Sequence, residues 1–268
     1  MRRVTVRRPV LTLSADGGRR RQDVLAGEEP LELRVGGNAL VVLMRTPGHD
    51  VELAHGYLLS EGVLGAPADV TTARYCDGVD DQGRNTYNVL DLALAPGVEP
   101  PAAGMSSRGL CGTPALDAVR PKTRFSPAGD ESRVSPETLL RLPGLLRERQ
   151  RVFGSTGGLH AAGLFTAAGT LLAVREDVGR HNAVDKVTGR ALLDGQVPLG
   201  GTVLVVSGRA SAEVVRKAAM AGIPVLATVS APSSLAAELA EEQGITLVGF
   251  LRGSSMNVYT HASRITGS

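Results

Sequence analysis

The sequence predicts an α/β fold, with a smaller β-rich N-terminal part ahead of a mostly parallel sheet covered by helices. Three observations predict it. Beyond Phe153, apolar runs of strand length at Thr170 to Val174, Thr202 to Val206, Val225 to Val229 and Thr246 to Leu251 alternate with helical stretches. Strands that are apolar throughout are buried on both faces, which is how a parallel sheet lies under helices. The first hundred residues read instead as strands joined by turns. At 268 residues and 43% apolar, the chain is long enough to bury a core of this kind.

From the N-terminus, Leu31 to Val35 and Ala39 to Met44 flank Gly36-Gly37-Asn38, a hairpin signal. Thr46-Pro47-Gly48-His49-Asp50 turns the chain, and Asp50 is placed to cap a short helix from Val51 to Leu59 that stops near Gly62. Val70 to Tyr75 and Asn85 to Leu94 read as two more strands. Pro96, Pro100 and Pro101 make Ala95 to Gly104 a linker. Residues 1–103 are therefore taken as a β-rich subdomain, 104–134 as a cysteine-bearing loop and mobile connector, and 135–268 as the α/β domain. Ser135-Pro136 pairs an N-cap with a first-turn proline and opens a helix that Pro143-Gly144 should interrupt. Further helices are expected near Leu159 to Phe165, His181 to Leu193, Ser211 to Ala221 and Ser233 to Gln243. There is no internal repeat.

Composition removes several functions. Net charge is only +2 and aromatic residues are 3% with no Trp, so the basic stripe and stacking platform of a nucleic-acid binder are missing. The positive charge is nearly all Arg, since Lys122, Lys186 and Lys217 are the only lysines; Arg suits bidentate phosphate contacts. Two cysteines, Cys76 and Cys111, make no disulfide framework. Val10 to Leu13, after Arg2, Arg3, Arg7 and Arg8, is too short for an export signal, and no apolar run reaches membrane-span length. The cytoplasm is the expected compartment, with no nucleic acid and no membrane among the partners.

Four stretches could carry chemistry. In Ser106-Ser107-Arg108-Gly109-Leu110-Cys111-Gly112 a thiol stands in a loop of small residues, and Arg108 would favour its thiolate. The plain alternative is a small apolar residue tucked into a turn, and Cys76, ending a strand-like run, fits that better still. Gly157-Gly158-Leu159-His160 offers free N–H groups to an anion, with His160 as ligand, proton carrier or core residue. Glu176 to Lys186 packs acids, bases and an amide, including Arg180 and His181, onto a strand-to-helix turn; a capped helix with solvated charges is the alternative. Gly249 to Tyr259 ends the last strand, with Arg252, Ser254 and Ser255 able to contact phosphate or base edges and Phe250 or Tyr259 able to stack. Ligands of open α/β sheets bind beyond the carboxyl ends of the strands, which points to Ser207-Gly208-Arg209, Ser230-Ala231-Pro232 and Arg252 to Ser255.

Together these stretches resemble the formate dehydrogenase accessory sulfurtransferase family, the FdhD-type sulfur carriers. The resemblance runs from about Glu29 to Tyr259. It is carried by Met44-Arg45-Thr46-Pro47-Gly48-His49-Asp50, Leu59-Ser60-Glu61-Gly62, Thr156 to Ala162, Asp177 to Lys186, Ala221-Gly222-Ile223-Pro224, Val229-Ser230-Ala231-Pro232 and Gly249-Phe250-Leu251-Arg252-Gly253. It implies a homodimer with a cytidine-deaminase-like C-terminal domain. By the same resemblance, the protein takes sulfur from a cysteine desulfurase as a persulfide. It would pass that sulfur to a molybdenum (or tungsten) bis-guanine-dinucleotide cofactor destined for formate dehydrogenase. Cys111 would carry the sulfur, and Phe250, Leu251, Arg252, Gly253, Ser254 and Ser255 match the cofactor-binding segment. Arg108, His160, Arg180, His181, Ser207 and Ser230 would support them.

The chain departs from the family at one point. Where the family loop reads Cys-Gly-X-Cys-Gly, this chain has Arg108-Gly109-Leu110-Cys111-Gly112, so only the second thiol remains. A non-enzymatic cofactor chaperone, or a nucleotide-binding regulator, is the alternative function. Zinc deaminase chemistry is not expected: His160-Ala161-Ala162 has Ala in place of the general-acid Glu, and no Cys follows Cys111.

Overall fold

In a computed structural model the structure describes residues 4–76, 78, 83, 86–100 and 123–267. Cys111, Arg108 and Lys122 lie outside the described residues, as does most of the expected 104–134 connector.

The chain opens with a hairpin, β1 (Thr5–Ser14) and β2 (Gly17–Ala26), exposed over most of its length. Nothing in the apolar pattern announces it, because a ribbon with water on both faces has no buried face to encode. A four-stranded sheet follows: β3 (Glu29–Val35), β4 (Asn38–Arg45), β5 (Val70–Tyr75) and β6 (Val89–Leu94), in the order β4-β3-β6-β5. Between its strands runs α1 (Asp50–Ser60). His49, not Asp50, holds the N-cap position, in a left-handed conformation (φ 57°) and without a side-chain cap. Asp50 instead sits in the first turn, where the guanidinium of Arg45 takes its carboxylate at 3.0 and 2.8 Å.

The larger layer begins with α2 (Pro136–Arg149) and the short α3 (Arg151–Thr156), then β7 (His160–Thr166), β8 (Leu171–Asp177), α4 (Arg180–Leu193), β9 (Thr202–Val206), α5 (Ala212–Met220), β10 (Val225–Thr228), α6 (Ser234–Glu242), β11 (Thr246–Arg252) and β12 (Ser255–Val258). Helix α2 continues through Pro143, whose place in the sequence predicted a break there. The sheet order is β12-β11-β10-β9-β7-β8.

This sheet is mixed, not mostly parallel. Only β9, β10 and β11 run parallel; the β7–β8, β7–β9 and β11–β12 pairs are antiparallel. The difference lies at Leu159 to Phe165, which reads as helix and is strand β7. From Ala161 to Phe165 it is an apolar run with no polar residue, and periodicity cannot separate a doubly buried strand from a buried helix. Its pairing with β9 on one edge and β8 on the other overrides local propensity.

Both faces of the sheet are covered. In β9, Val203 and Val205 face Leu139, Leu142 and Leu146 of α2, while Leu204 and Val206 face the cluster holding Val184, Val187, Val214 and Val215. That second cluster runs on without a break into the N-terminal sheet through Leu53, Ala54 and Leu58 of α1 to Leu31, Leu33, Leu90 and Leu92. Two glycines permit the α1–α4 crossing. A Cβ on Gly56 would stand 1.9 Å from the Asp185 carbonyl oxygen, and one on Gly189 1.8 Å from that of Glu52. Helices in contact at backbone distance fix how the two sheets sit.

Candidate functional site

A cavity of about 590 Å³ opens beyond the carboxyl ends of β9 and β10, where the parallel strands give way to the antiparallel β7. Ser207 and Val229 form its floor, Leu159 and His160 one side, and Leu146, Arg147 and Phe153 the wall from α2 and α3. The Arg147 guanidinium lies 4.2 Å from the centre of the Phe153 ring, so cation and π-face are presented together. Glu176 fixes this wall: its carboxylate accepts the Val152 and Phe153 N–H groups at 3.0 and 2.7 Å. Neither Arg147 nor Phe153 stands out in the sequence, where both look like ordinary residues of amphipathic helices.

Ser207 locks the floor to β7. Its hydroxyl accepts the Ala161 N–H, and its own N–H donates to the Ala161 carbonyl, both at 2.9 Å. The carbonyl of Ser230, one residue past Val229, accepts the Phe250 N–H at 3.0 Å. Phe250 has φ 51°, which costs a non-glycine residue roughly 1–2 kcal/mol. A bulge between Gly249 and Arg252 holds it there, and a Cβ on Gly249 would meet Pro232 and Tyr259 at 2.8 Å. Strain of this kind persists where surrounding structure enforces it, commonly at ligand sites. The Arg252 guanidinium stands 5.5 Å from the Phe250 ring centre. Arg252, Gly253, Ser254 and Ser255 are exposed in the turn to β12, with Gly253 supplying φ 59°. Leu251 turns into the core, completely buried, which leaves only its backbone for a ligand.

His160 sits at the cavity, its imidazole pKa lowered by burial and then by the nearby Arg180 charge. Arg180 lies against the β9–α5 loop, its Cδ 3.7 Å from where a Cβ on Gly208 would be, and its buried Nε has no hydrogen-bond partner among the described residues. His181 faces the other end of that loop: Nε2 lies 3.1 Å from the Ser211 hydroxyl and Nδ1 3.3 Å from the Glu213 carboxylate.

The rest of the Glu176 to Lys186 cluster faces inward. The fully buried Asp177 carboxylate pairs with Lys186 at 2.6 Å and accepts from the Thr46 and Gly179 N–H groups and the Asn182 amide. Lys186 also donates to the Thr46 carbonyl at 2.8 Å. Asp185 pairs with Lys217 at 2.8 Å; burial pushes its carboxyl up to about 6 against the pull of that ammonium. These groups tie the Thr46-Pro47 turn to β8 and α4, and α4 to α5. Cys76, half-buried, donates its N–H to the Val89 carbonyl as a continuation of the β5–β6 pairing. Among the described residues no group of three or more His, Cys, Asp or Glu side chains could hold a metal ion, and no helix is long and apolar enough to cross a membrane.

Fold and cleft together define a two-domain α/β protein, a β-rich N-terminal sheet joined to a helix-covered mixed sheet with a charged, aromatic-walled cleft at its carboxyl edge. A crystal structure of a candidate formate dehydrogenase accessory protein from Desulfotalea psychrophila shares the fold, with a TM-score of 0.80 at 23% identity over 98% of this chain and 100% of that one. A profile of the FdhD/NarQ family matches residues 26–266, and the chain belongs to that family. It is 59% identical to the sulfur carrier protein FdhD of Nocardia farcinica over 98% of this chain and 95% of the relative. The sulfur carrier protein FdhD of Mycobacterium tuberculosis is 56% identical over 98% and 99% of the two chains. That of Anaeromyxobacter sp. is 44% identical over 95% and 92%.

Proposed function

We propose that this chain is a sulfurtransferase of the sulfur-carrier type, with Cys111 as the carrier and the cleft beside Phe250 as the seat of its acceptor. The Cys111 thiolate attacks the outer sulfur of a desulfurase persulfide. The donor thiol leaves and Cys111 becomes Cys–S–SH, a thiol–disulfide exchange in which no net oxidation occurs. The outer sulfur then passes to a reduced molybdenum bis-guanine-dinucleotide cofactor bound as substrate; that acceptor would supply the electron pair that forms its new bond to sulfur as the S–S bond breaks, and Cys111 leaves as thiolate. Arg108, at the position of the family's first loop cysteine, supplies positive charge that favours the thiolate. Cysteine desulfurase and formate dehydrogenase are then the partners, a homodimer the working unit, the cytoplasm its compartment, and residues 104–134 the connector that delivers the thiol. The α/β domain at 135–268 is read as deaminase-like in form, without the deaminase's zinc.

The observation that carries this reading is the strained Phe250 beside Arg252, hydrogen-bonded to Ser230 directly after Val229 of a cleft of about 590 Å³ walled by Arg147 and Phe153. Aromatic rings and guanidinium groups are what a purine and its phosphates require. The Phe250 to Ser255 turn would hold the guanine dinucleotide. Ser207 and Ser230 would set its floor, and His160, Arg180 and His181 its charged rim.

Exposure to a cysteine desulfurase and cysteine should add one sulfur to the Cys111 peptide, seen by mass spectrometry, and Cys111→Ala should take up none. An unmodified Cys111 peptide, under conditions that load a two-cysteine relative, rejects sulfur carriage. The second reading, a chaperone that binds the cofactor without moving sulfur, is favoured by Arg108 in place of a cysteine. It requires Cys111→Ala to support formate dehydrogenase maturation as well as wild type does, while Arg252→Ala does not.

A further inference from the structure

A serine, a histidine and a carboxylate stand in line at the β9–α5 turn. Ser211 Oγ is 3.1 Å from His181 Nε2, and the other ring nitrogen, Nδ1, is 3.3 Å from Glu213 Oε2. This is the order of contacts that makes a serine nucleophilic. The carboxylate holds the tautomer with its proton on Nδ1, which leaves Nε2 as the acceptor for the hydroxyl proton. The distances match those of such chains before substrate tightens them.

The place of Ser211 adds an independent observation. Serine at a helix N-cap ordinarily spends its hydroxyl on the N–H groups of the first turn, and Ser135 and Ser233 do so for α2 and α6. Ser211 occupies the N-cap of α5 and makes no such bond. The hydroxyl is turned to His181 instead, and the first N–H groups of α5 have no acceptor within the helix. A serine at a strand-to-helix turn with the next N–H available to an oxyanion is the arrangement that hydrolases of other folds have reached. His181 and Glu213 keep 25% and 32% of their side-chain surface open to solvent, so a small substrate can reach them. Arg180, packed against Gly208 of the same turn, adds positive charge beside the approach.

We propose that Ser211, His181 and Glu213 form a hydrolytic triad for small carboxylic esters or thioesters that carry a negative group. Ser211 Oγ bonds to the acyl carbon as its proton passes to His181 Nε2. The C–O or C–S bond then breaks, and the leaving alcohol or thiol takes that proton. Water attacks the acyl-serine, giving its proton to Nε2, and the departing Oγ takes it back. The sum is ester plus water to acid plus alcohol or thiol, with nothing oxidised. Glu213 is a positioning residue. The activity goes beyond sulfur carriage and does not use Cys111, so either can fail without the other.

The test treats the full-length protein with a fluorophosphonate, which phosphonylates activated serines and spares thiols, and maps the adduct by mass spectrometry. Hydrolysis of the mono-4-nitrophenyl ester of adipic acid, which keeps one free carboxylate, is followed in parallel. The expected result is a single adduct on the Ser211 peptide, with ester hydrolysis reduced at least 100-fold in Ser211→Ala and in His181→Asn. Glu213→Gln should lower kcat with KM little changed, and Glu213→Asp should restore part of it. An unlabelled Ser211 in the folded wild-type chain, at probe concentrations that saturate a serine esterase, overturns the proposal. So does a Ser211→Ala variant, folded by circular dichroism, that hydrolyses the ester at the wild-type rate.

Discussion

The end of β8 and the first two turns of α4 hold two kinds of polar residue. Asp177, Asn182 and Lys186 face inward and satisfy one another and the Thr46-Pro47 turn, with Asp177 and Lys186 sealed from solvent. Arg180 and His181 face the β9–α5 loop, partly exposed, with a buried Arg180 Nε left unbonded among the described residues. Read as sequence, the segment from Glu176 to Lys186 is one dense polar cluster and invites one explanation. The structure divides it into a buried clasp between domains and a pair of side chains against the β9–α5 loop. Density of charge marks a segment under constraint, and whether the groups are already satisfied decides which constraint it is.

The largest effect should come from breaking the inward half. Lys186→Ala leaves the Asp177 carboxylate buried without its ammonium, a change that costs about 3–5 kcal/mol. Urea denaturation should show the midpoint fall in proportion, and a change below about 1 kcal/mol would place Lys186 on the functional side of the division. The same substitution in the outward half, Arg180→Ala, should leave the midpoint nearly unchanged.

The two halves also differ in how much of them can be read in advance. The three parallel strands and the helices between them are legible because wholly apolar runs alternate with amphipathic ones. Strand β7 is not, because its neighbours β8 and β9, and not its own pattern, make it a strand. Of the candidate site, the rule that ligands gather at carboxyl ends of strands points to Ser207, Ser230 and Arg252, and the family resemblance adds Phe250. Ser211 and Glu213 are not legible. Ser-x-Glu before a helix reads as ordinary capping, and only the three-dimensional position of His181 diverts it.

A smaller effect belongs to the second clasp between α1 and β8. Arg175 grips Glu52 through two nitrogens, with Nη2 at 2.7 Å. Burial alone would raise the Glu52 carboxyl, but Arg175 and His49 outweigh it and hold the pKa near 2, against an ordinary 4.5. A carboxyl with a depressed pKa in the folded state stabilises above its unfolded value. Its contribution is therefore complete above about pH 4.5 and lost as pH falls toward 2, worth roughly 1–2 kcal/mol after allowing for water at the site. Glu52→Gln should remove this part of the acid limb from a plot of stability against pH. An unchanged limb would show that Arg175 finds an equal partner elsewhere.

The expected sign reverses at Phe250. Glycine accepts a left-handed φ without penalty, so Phe250→Gly should stabilise the fold by up to about 1 kcal/mol, less whatever the half-buried ring contributes to packing. Guanine-nucleotide binding, followed by calorimetry, should weaken in the same variant. A gain in stability joined to a loss of binding is the signature of strain kept for a ligand. Loss of both would assign the ring to the core.

The smallest effect separates two serines in equivalent positions. Ser233 caps α6 through its hydroxyl, accepting the Ala236 N–H at 3.2 Å, and Ser233→Ala should cost about 1 kcal/mol. Ser211 precedes α5 in the same way but caps nothing, so Ser211→Ala should change stability by less than about 0.5 kcal/mol. The comparison needs only two denaturation curves and does not depend on any substrate. Equal losses at the two sites would mean that the Ser211 hydroxyl reaches the helix N–H groups in solution, and that its contact with His181 is incidental. Unequal losses would leave a serine whose hydroxyl does little for the fold and is held against an imidazole.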